Sequence, residues 1–378
     1  MELITLQVTE KQHTVHLYVG KYLFKNPSLW QQIINSSSSI VIITDTNIYR
    51  LYGNFIHELI EKASRIFVYI LPSGETLKCR NIKEKLEDEL LKAHVDRNTS
   101  IVAFGGGTIT DLGGFLASTY LRGVQLHFIP TSLLAMIDAS IGGKTAINTS
   151  LGKNLLGTFY FPKTVCVDLS FLQTLSSAEL ISGFAEIIKY GCIYDATLFQ
   201  LLENNVPNWE KKSIDSLLSI IKRSIEIKKS IIEKDIYGQG VRHILNFGHT
   251  LGHAIEVCTK YTISHGQAVA LGMVGEAYLS YYLGVLSYED FLRIWTLIKK
   301  YSFDLSLSSS ISASAIWRAI MRDKKTISSV PHCILLVSIG TVWNHPNYLH
   351  LVEETKWNHV IDWLLNNFSH ALYEKITY

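Results

Sequence analysis

The sequence predicts an α/β fold with two domains: the first has a parallel β-sheet with helices on both faces, and the second is mostly α-helical. Two observations indicate this fold class. Short β-branched runs alternate with helical segments in the first half of the chain, and strand-like runs become scarce after about Leu175. At 378 residues, with 47% apolar and 18% charged side chains, the chain can bury the cores of two domains.

Five runs in the first half are compact and apolar nearly throughout. Such runs are typical of strands that are buried on both faces of a parallel sheet. Several end in small or polar residues, at the carboxyl ends of strands where ligands of such sheets usually bind. The five predicted strands are 39–45, 65–71, 99–107, 124–130 and 164–169.

The second half carries helical patterns instead. Ser176 and Glu179 have the spacing of a capping box, which predicts the start of a helix. Further on, apolar side chains recur along one helical face. The members of this apolar stripe are Ile214, Leu217, Leu218, Ile221, Ile225 and Ile232. The run 332–342 is the main strand-like exception, and we place the domain boundary near residue 172, which divides the chain into 1–172 and 173–378.

Composition argues against several classes of partner. The net charge of +2 comes from mixed signs, which gives no reason to expect nucleic acid or a membrane surface. The five cysteines are scattered without a C-x-x-C pair, so neither a disulfide framework nor a cysteine zinc site is expected. The N-terminus lacks a signal-peptide pattern, and no apolar run approaches the roughly 20 residues of a membrane span. We therefore expect a soluble cytoplasmic protein.

A glycine-rich turn, "FGGGTIT", follows the third predicted strand and leads into a helix. Gly105, Gly106 and Gly107 would let a phosphate approach the backbone at a helix N-terminus. The pattern departs from the dinucleotide fingerprint, since Thr110 stands in the third glycine position. Nucleotide binding and a tight structural turn both stay open. A later G-K-T sequence is not a P-loop, because Asp138 occupies the place of the leading glycine.

Polar residues are concentrated around that second turn. Asp138, Lys144, Lys153 and Asn154 fall within 17 residues, interleaved with glycine and small residues. This pattern fits either a solvated loop or a pocket for an anionic, hydroxyl-rich ligand with lysines as phosphate contacts. We favour the pocket.

Charged residues also occur where the helical pattern expects apolar ones. Glu186 and Lys189 lie one turn apart in the apolar segment "GFAEIIKYG", and Lys228 extends the apolar stripe. A surface ion pair and a lysine that reaches to solvent would explain them; a helix face that lines a polar cleft is the alternative. Arg242 and Asn246, in "RHILNFG", are suited to bind carboxylate or hydroxyl groups.

Three histidines are clustered within 17 residues. His249 and His253 are four residues apart on a predicted helix and share one face. The residue types predict them as two metal ligands, with Glu186 or His265 completing a catalytic zinc site that keeps an open position. A single histidine of this kind is more often a core or capping residue, but three together favour the site.

The motifs occur together in one order. The chain carries "FGGGTITDLGGFLASTYLRGV", "IPTSLLAMIDASIGGKTAIN", "GKNLLGTFY", "GFAEIIKYG", "LNFGHTLGHAIE", "SHGQAVALGM" and "RDKK". From about residue 40 to 345 it strongly resembles the 3-dehydroquinate synthase family. The resemblance implies a Rossmann-like NAD-binding domain, a helical metal- and substrate-binding domain, NAD and one divalent metal, zinc or cobalt. It also implies a cytoplasmic homodimer.

The family acts in the shikimate pathway, which leads to chorismate and the aromatic amino acids. Its members are phosphorus–oxygen lyases that convert 3-deoxy-D-arabino-heptulosonate 7-phosphate to 3-dehydroquinate and phosphate. The steps are transient oxidation by NAD, β-elimination of phosphate, re-reduction and intramolecular aldol closure. The alternatives are a sister sugar-phosphate cyclase of the same fold, a metal-dependent polyol dehydrogenase of related fold, and a non-catalytic binding protein.

The resemblance also implies roles for individual residues. The metal ligands would be Glu186, His249 and His265, and His253 would be a substrate-side group, so that the pairing drawn from spacing alone would be half wrong. The other substrate-side residues would be Asp138, Lys144, Asn154, Lys189, Lys228, Arg242, Asn246, one of Lys324 and Lys325, and Arg122, which contacts phosphate across a dimer interface. NAD would be held by Asp45, Asn47, Glu75, Lys78, Gly105, Gly106, Gly107, Asp111, Thr131, Ser132, Lys153, Thr174 and Leu175.

One position departs from the family pattern. After His265 the chain reads Gly-Gln where the family usually has Gly-Glu, so Gln267 replaces a carboxylate near a ligand. We expect metal binding to survive with altered affinity, because an amide adds no negative charge around the ligands.

Overall fold

The computed structural model describes residues 13–62, 65–205, 214–322, 331–344 and 347–369. The described residues form two compact units. Among the described residues, one unit extends to Pro130 and includes Gly143–Asp168, and the other comprises Thr131–Gly142 and the residues from Leu169 onward. The chain thus enters the second unit at Leu169, four residues before the predicted start at 173, and the earlier segment 131–142 also belongs to the second unit.

The first unit contains a six-stranded parallel sheet, which confirms the predicted fold class. Its strands are β1 (His16–Gly20), β2 (Ile40–Asp45), β3 (Ile66–Leu71), β4 (Ser100–Gly105), β5 (Gln125–Pro130) and β8 (Thr164–Asp168). Their order in the sheet is β1-β8-β5-β4-β2-β3. Between β5 and β8 the chain forms a separate antiparallel hairpin of β6 (Lys144–Thr149) and β7 (Gly152–Phe159). The helices of this unit are α1 (Pro27–Asn35), α2 (Thr46–Lys62), α3 (Arg80–Lys92) and α4 (Gly107–Thr119).

Burial along the strands explains which ones the sequence could predict. The inner strands β2, β4, β5 and β8 are buried nearly throughout, as their continuous apolar runs require. Strands β1 and β3 lie at the two edges and are both half exposed, but only β3 has an apolar run, "IFVYIL", so β3 was predicted and β1 was not. The hairpin of β6 and β7 was not predicted, because its residues mix polar and small side chains, a pattern that we interpreted as a polar pocket.

The order of the strands creates a point where the chain changes direction in the sheet. From β2 the chain moves outward to β3, and it then returns to β4 on the other side of β2. In open parallel sheets, ligands bind at the carboxyl ends of the strands at such a switch point. Here those ends are Asp45 of β2 and Gly105 of β4.

The second unit is mostly helical. Its helices are α5 (Ser177–Ile193), α6 (Ala196–Asn204), α7 (Ile214–Lys234), α8 (His249–Cys258), α9 (His265–Tyr282), α10 (Tyr288–Lys300), α11 (Ala313–Met321) and α12 (Glu354–Phe368). The strand-like run near the end of the chain is broken into short strands: β9 (His332–Cys333) pairs with β12 (His350–Leu351), and β10 (Leu336–Ser338) pairs with β11 (Thr341–Val342).

Local signals set the helix that begins the second unit. The Ser176 hydroxyl accepts the backbone N–H of Glu179 at 3.2 Å, so the predicted N-cap is present at the start of α5. Helices α5 and α9 are buried nearly all round. No helix in the described part of the chain combines the length and hydropathy of a membrane span.

The apolar stripe of α7 faces the core of the second unit. Leu217, Ile221, Ile225 and Ile232 are buried. Leu218 is half-buried, and the side chain of Ile214 lies outside the described residues. Lys228 is buried on the same face, with 5% of its surface exposed, so the stripe does meet polar groups there.

Helices α8 and α9 approach to backbone contact. A Cβ atom added at Gly272 would lie 1.9 Å from the carbonyl oxygen of Gly248, and one added at Gly252 would lie 3.0 Å from that of Ala268. Gly248 also has a positive φ of 76°, which disfavours a side chain. Each of the two helices begins with a histidine, and the ring centroids of His249 and His265 lie 5.5 Å apart.

Candidate active site

Three side chains from three helices converge in the second unit. Glu186 comes from the middle of α5, His249 is the first residue of α8, and His265 is the first residue of α9. Nε2 of His249 lies 3.5 Å from Oε1 of Glu186, and Nε2 of His265 lies 3.7 Å from the same oxygen. One ligand atom from each residue lies within 4.8 Å of the other two. This is the ligand set that the resemblance implies.

The environment of Glu186 fits a cation. The carboxylate is buried, and its Oε1 atom accepts no hydrogen bond from the described residues. A buried carboxylate oxygen without a hydrogen-bond donor is costly unless a cation neutralises it. Two imidazoles and a carboxylate with an open position are the donor set of a catalytic zinc or cobalt site. The described residues therefore suit a divalent metal.

Lys189 neutralises the other oxygen of the same carboxylate. Its Nζ donates to Oε2 of Glu186, and the lysine is itself buried. Burial raises the pKa of Glu186, but the Lys189 ammonium lowers it, and the net pKa lies below the usual range. Glu186 is thus ionised, as a metal ligand must be.

The ring orientations of the two histidine ligands are set differently. Nδ1 of His249 lies 3.0 Å from the carbonyl oxygen of Phe247, which leaves Nε2 directed toward Glu186. Nδ1 of His265 lies 3.6 Å from Oε1 of the buried Glu256. Burial lowers the pKa of His265, but the carboxylates of Glu186 and Glu256 raise it to about 9.

His253 belongs to a second group. Its ring centroid lies 5.3 Å from that of His249, yet the residues that it meets as possible ligands are Glu256 and His265. The pair predicted from spacing alone, His249 with His253, is therefore not the pair that surrounds Glu186. His253 therefore lies beside the Glu186 site without being one of the three residues grouped there.

A second charged cluster is built around Asp138. Nζ of Lys228 donates to the side chain and to the carbonyl oxygen of Asp138, and the Tyr190 hydroxyl donates to Oδ1 at 2.8 Å. Burial raises the pKa of Asp138, but Lys228 and Lys189 lower it well below its usual range. Burial in turn lowers the pKa of Lys228. The lysine that interrupts the apolar stripe is therefore held by a specific buried partner.

Arg242 is positioned by a loop of the same unit. Its guanidinium donates to the carbonyl oxygen of Ile236 and, at 2.9 Å, to that of Gly142. The carboxylate of Asp235 accepts four backbone N–H groups between residues 238 and 242, at 2.7–3.0 Å. Arg242 and Asn246 both lie on a short 3-10 helix, Val241–Asn246. Asn246 is half-buried at the end of this helix, three residues before His249.

The first unit holds most, but not all, of the residues implied for NAD. The Asp45 carboxylate caps α2 by accepting the N–H groups of Asn47 and Ile48 at 2.8 and 3.0 Å. Lys78 is buried, and its Nζ donates to Asp111 and to Asn154. The structure thus pairs Asn154, implied to contact substrate, with a lysine implied to contact NAD.

The glycine-rich turn leads directly from β4 into α4. A Cβ added at Gly105 would lie 2.7 Å from the side chain of Ile109, so this position requires glycine for packing. Glu75 accepts the hydroxyl of Thr108 at 2.9 Å and the amide of Asn148 at 2.7 Å. The turn therefore has both properties considered from the sequence, tight packing and a helix N-terminus at a switch point.

The remaining predicted residues are distributed over both units. Lys144, at the start of β6, and Arg122 are exposed side chains of the first unit, and Arg122 has a φ of 69°. Lys153, on β7, also belongs to the first unit, whereas Thr131, Ser132, Thr174 and Leu175 belong to the second. Lys324 and Lys325 lie outside the described residues.

Sequence reasoning did not assign several polar residues around the site. Tyr190, Asp235 and Glu256 are placed by the contacts given above, and Glu276 is a fully buried carboxylate of α9. Glu276 accepts the N–H of Gly248 at 2.8 Å and of Leu251 at 3.2 Å, and so caps the helix that begins with His249. A signal was available for Glu276, since it is a lone charge in the apolar segment "GMVGEAYLS".

The side chain of Gln267, where the family usually has a glutamate, has a partner outside the three ligands. Its side-chain amide donates to the carbonyl oxygen of Asp304 at 2.5 Å. A glutamate could not make this bond, because an ionised carboxylate has no proton to donate. In this chain the carboxylate that faces a histidine ligand is Glu256.

Known proteins are similar to this chain along most of its length. The family model for the 3-dehydroquinate synthase N-terminal domain matches residues 68–182, and that for the C-terminal domain matches residues 183–326. The 3-dehydroquinate synthase of Thermodesulfovibrio yellowstonii is 40% identical over 342 residues, which cover 90% of this chain and 95% of that protein. That of Caldanaerobacter subterraneus subsp. tengcongensis is 41% identical over 308 residues, covering 81% and 86%.

Solved structures with the same fold include related cyclases. A 2-deoxy-scyllo-inosose synthase complexed with carbaglucose-6-phosphate, NAD+ and Co2+ is 25% identical, with a TM-score of 0.84 over 91% of this chain and 95% of that one. The fold is shared with the 2-epi-5-epi-valiolone synthase of Streptomyces hygroscopicus, with a TM-score of 0.86 over 97% and 100% at 24% identity. An iron-containing alcohol dehydrogenase gives a TM-score of 0.66 at 13% identity, over 95% and 99%, and shares the fold alone.

Proposed function

The chain belongs to the 3-dehydroquinate synthase family, and on that premise we propose that it is itself a 3-dehydroquinate synthase, dependent on NAD and a divalent metal. It converts 3-deoxy-D-arabino-heptulosonate 7-phosphate to 3-dehydroquinate and phosphate, as a phosphorus–oxygen lyase of aromatic biosynthesis. The observation that carries the proposal is the convergence of Glu186, His249 and His265 beside buried lysines of the same unit. A site for a metal and a polyanionic substrate requires both features.

We assign the metal to Glu186, His249 and His265, which offer one carboxylate oxygen and two imidazole nitrogens. When bound, the metal lowers the pKa of a coordinated hydroxyl group and NAD reversibly accepts a hydride, which makes the neighbouring C–H group acidic enough for phosphate elimination. The unsatisfied Oε1 atom of Glu186 supports this ligand set.

The residues around the metal site bind and orient the substrate. Lys189 and Lys228 keep positive charges in buried positions, where an ammonium attracts phosphate or carboxylate far more strongly than it does in water. Arg242 offers a guanidinium held by two backbone carbonyls, which suits a carboxylate. His253 holds or moves a proton at the substrate. Asp138 holds the Lys228 ammonium in place when no substrate is bound.

We place NAD at the switch point of the parallel sheet in the first unit. Asp45 and Gly105 end the two strands that flank this point, and α4 begins two residues after Gly105. We accordingly retain 1–172 as the NAD-binding domain and 173–378 as the metal- and substrate-binding domain, with the segment 131–142 serving the latter.

The test is phosphate release from 3-deoxy-D-arabino-heptulosonate 7-phosphate with NAD and zinc or cobalt, followed together with absorbance for NADH. Release without accumulation of NADH supports the synthase. Release only from a different sugar phosphate would indicate a sister cyclase, and steady NADH formation with a polyol would indicate a dehydrogenase. The buried lysines argue against the third outcome, since a polyol brings no anionic group to neutralise.

We further propose a cytoplasmic homodimer in which Arg122 contacts the phosphate bound by the partner subunit. Arg122 is exposed and follows Leu121, and both have positive φ values, of 69° and 47°. Mixing the inactive variants Arg122→Ala and Lys189→Ala tests this arrangement, because a mixed dimer would contain one complete site. Recovery of about a quarter of wild-type turnover is expected from random pairing, and no recovery would contradict the proposal.

A further inference from the structure

His265 has a nitrogen facing each of two carboxylates. Nε2 lies 3.7 Å from Oε1 of Glu186, and Nδ1 lies 3.6 Å from Oε1 of Glu256. We propose that Glu256 is a positioning residue for the metal: it holds the Nδ1–H of His265 and thereby directs Nε2 to the ion. This inference rests on the proposed metal site and adds a residue that the ligand set does not contain.

The chemistry of imidazole supports this role. A neutral imidazole that binds a metal through one nitrogen carries a proton on the other, and that N–H requires an acceptor. His249 has a backbone acceptor, the carbonyl oxygen of Phe247 at 3.0 Å. For His265 the group that faces Nδ1 is a carboxylate, Oε1 of Glu256 at 3.6 Å, and a carboxylate acceptor makes the ring a stronger donor to the metal than a carbonyl does. The two ligands are therefore tuned differently.

The placement of Glu256 on α8 makes this arrangement specific. Glu256 follows His249 by seven residues, so both lie on the same face of the helix, two turns apart. Helix α8 thus supplies the ligand His249 from its first turn. From its third turn it supplies Glu256, the carboxylate that orients the ligand His265. Glu256 is only 4% exposed, and a carboxylate at such a position costs free energy unless it has partners.

The role of Glu256 is tested by the isosteric substitution Glu256→Gln. The affinity for zinc, measured by competition with a chromophoric chelator, should fall by about 10- to 100-fold, as outer carboxylates behind metal-binding histidines typically contribute. The absorption bands of the cobalt-loaded protein should shift, because the geometry and basicity of one ligand change. Glu256→Asp keeps the charge and should recover part of the affinity.

A matched control is Asp168→Asn. Asp168 is a fully buried carboxylate of the first unit that accepts the N–H groups of Tyr22 and Phe24 at 2.8 and 2.9 Å. This substitution should lower the melting temperature but leave the zinc affinity and the cobalt spectrum unchanged. A loss of zinc affinity in both variants would mean that Glu256 acts only through stability, and would overturn the proposal.

Two further measurements test the role of Glu256 without following turnover, so their results do not depend on the proposed reaction. In the zinc-loaded wild type, nitrogen NMR of His265 should show a protonated Nδ1 and a metal-bound Nε2; the opposite assignment would overturn the proposal even if the variants fail to fold. Titration should give one zinc ion per chain. Two ions, the second of which is lost in Glu256→Gln, would make Glu256 a ligand with His253 instead.

Discussion

Replacing Lys228 with methionine would leave the Asp138 carboxylate without its main partner. Lys228 donates to both the side chain and the carbonyl oxygen of Asp138, and its own side chain is 7% exposed. Breaking a buried ion pair from one side typically costs about 3–5 kcal/mol. The Asp138 side chain is 30% exposed and keeps the Tyr190 hydroxyl at 2.8 Å. Water and this hydroxyl offset part of the loss, so we expect about 3 kcal/mol, at the low end.

The assay is urea unfolding at pH 7 followed by tryptophan fluorescence. Trp295, Trp357 and Trp363 lie on helices of the second unit and Trp30 lies on α1 of the first, so the signal reports mainly the second unit. Adding Asp138→Asn to Lys228→Met should recover about 2 kcal/mol, because the double variant no longer buries an unpaired charge. A loss below about 0.5 kcal/mol, or a double variant no more stable than Lys228→Met, would refute the reasoning.

Three further predictions concern other parts of the chain. Lys189→Ala should lower turnover by orders of magnitude while near-UV circular dichroism stays native; wild-type turnover would refute the assignment of the site. Gln267→Glu should destabilise the protein by about 1–2 kcal/mol, because it loses the bond to the carbonyl oxygen of Asp304, and should change zinc affinity less than Glu256→Gln does; unchanged stability would contradict this. Burial lowers the pKa of His127 to about 4. Above about pH 6.5 this histidine is neutral in both the folded and the unfolded protein. As pH falls toward 4 only the unfolded chain binds the proton, so the free energy of unfolding decreases by about 3 kcal/mol. Urea unfolding of His127→Gln should show a smaller loss between pH 7 and pH 4.5 than wild type, and an identical loss would count against the explanation.

The parallel sheet could be predicted from the sequence because its inner strands are buried on both faces. Continuous apolar runs follow from that burial in β2, β4, β5 and β8, whereas the fifth predicted strand, β3, is a half-exposed edge strand with an apolar run of its own. Strand β1, at the other edge, has only five residues and begins with His16, so it leaves no comparable run. The transfer of residues 131–142 to the second unit was also beyond prediction, since it depends on tertiary packing.

The metal site shows where spacing along one helix is insufficient. His249 and His253 share a face of α8, and a local rule therefore pairs them. The structure surrounds Glu186 with His249 and His265 because α8 and α9 touch at Gly248 and Gly272, a contact between segments that sequence periodicity does not describe. The family motifs implied the same set before the contact was known. Glu256 was visible in the sequence, but its role depends on which nitrogen of His265 it faces.

In the proposed reaction, a divalent metal held in the second unit and NAD together drive phosphate elimination. The most direct measurement is phosphate release from 3-deoxy-D-arabino-heptulosonate 7-phosphate by the protein with NAD, before and after treatment with a chelator, with NADH absorbance followed throughout. We predict release that stops on chelation, returns with zinc or cobalt, and never accumulates NADH. Release that persists at full rate in the chelated protein, or that leaves one NADH for each phosphate, would contradict the account.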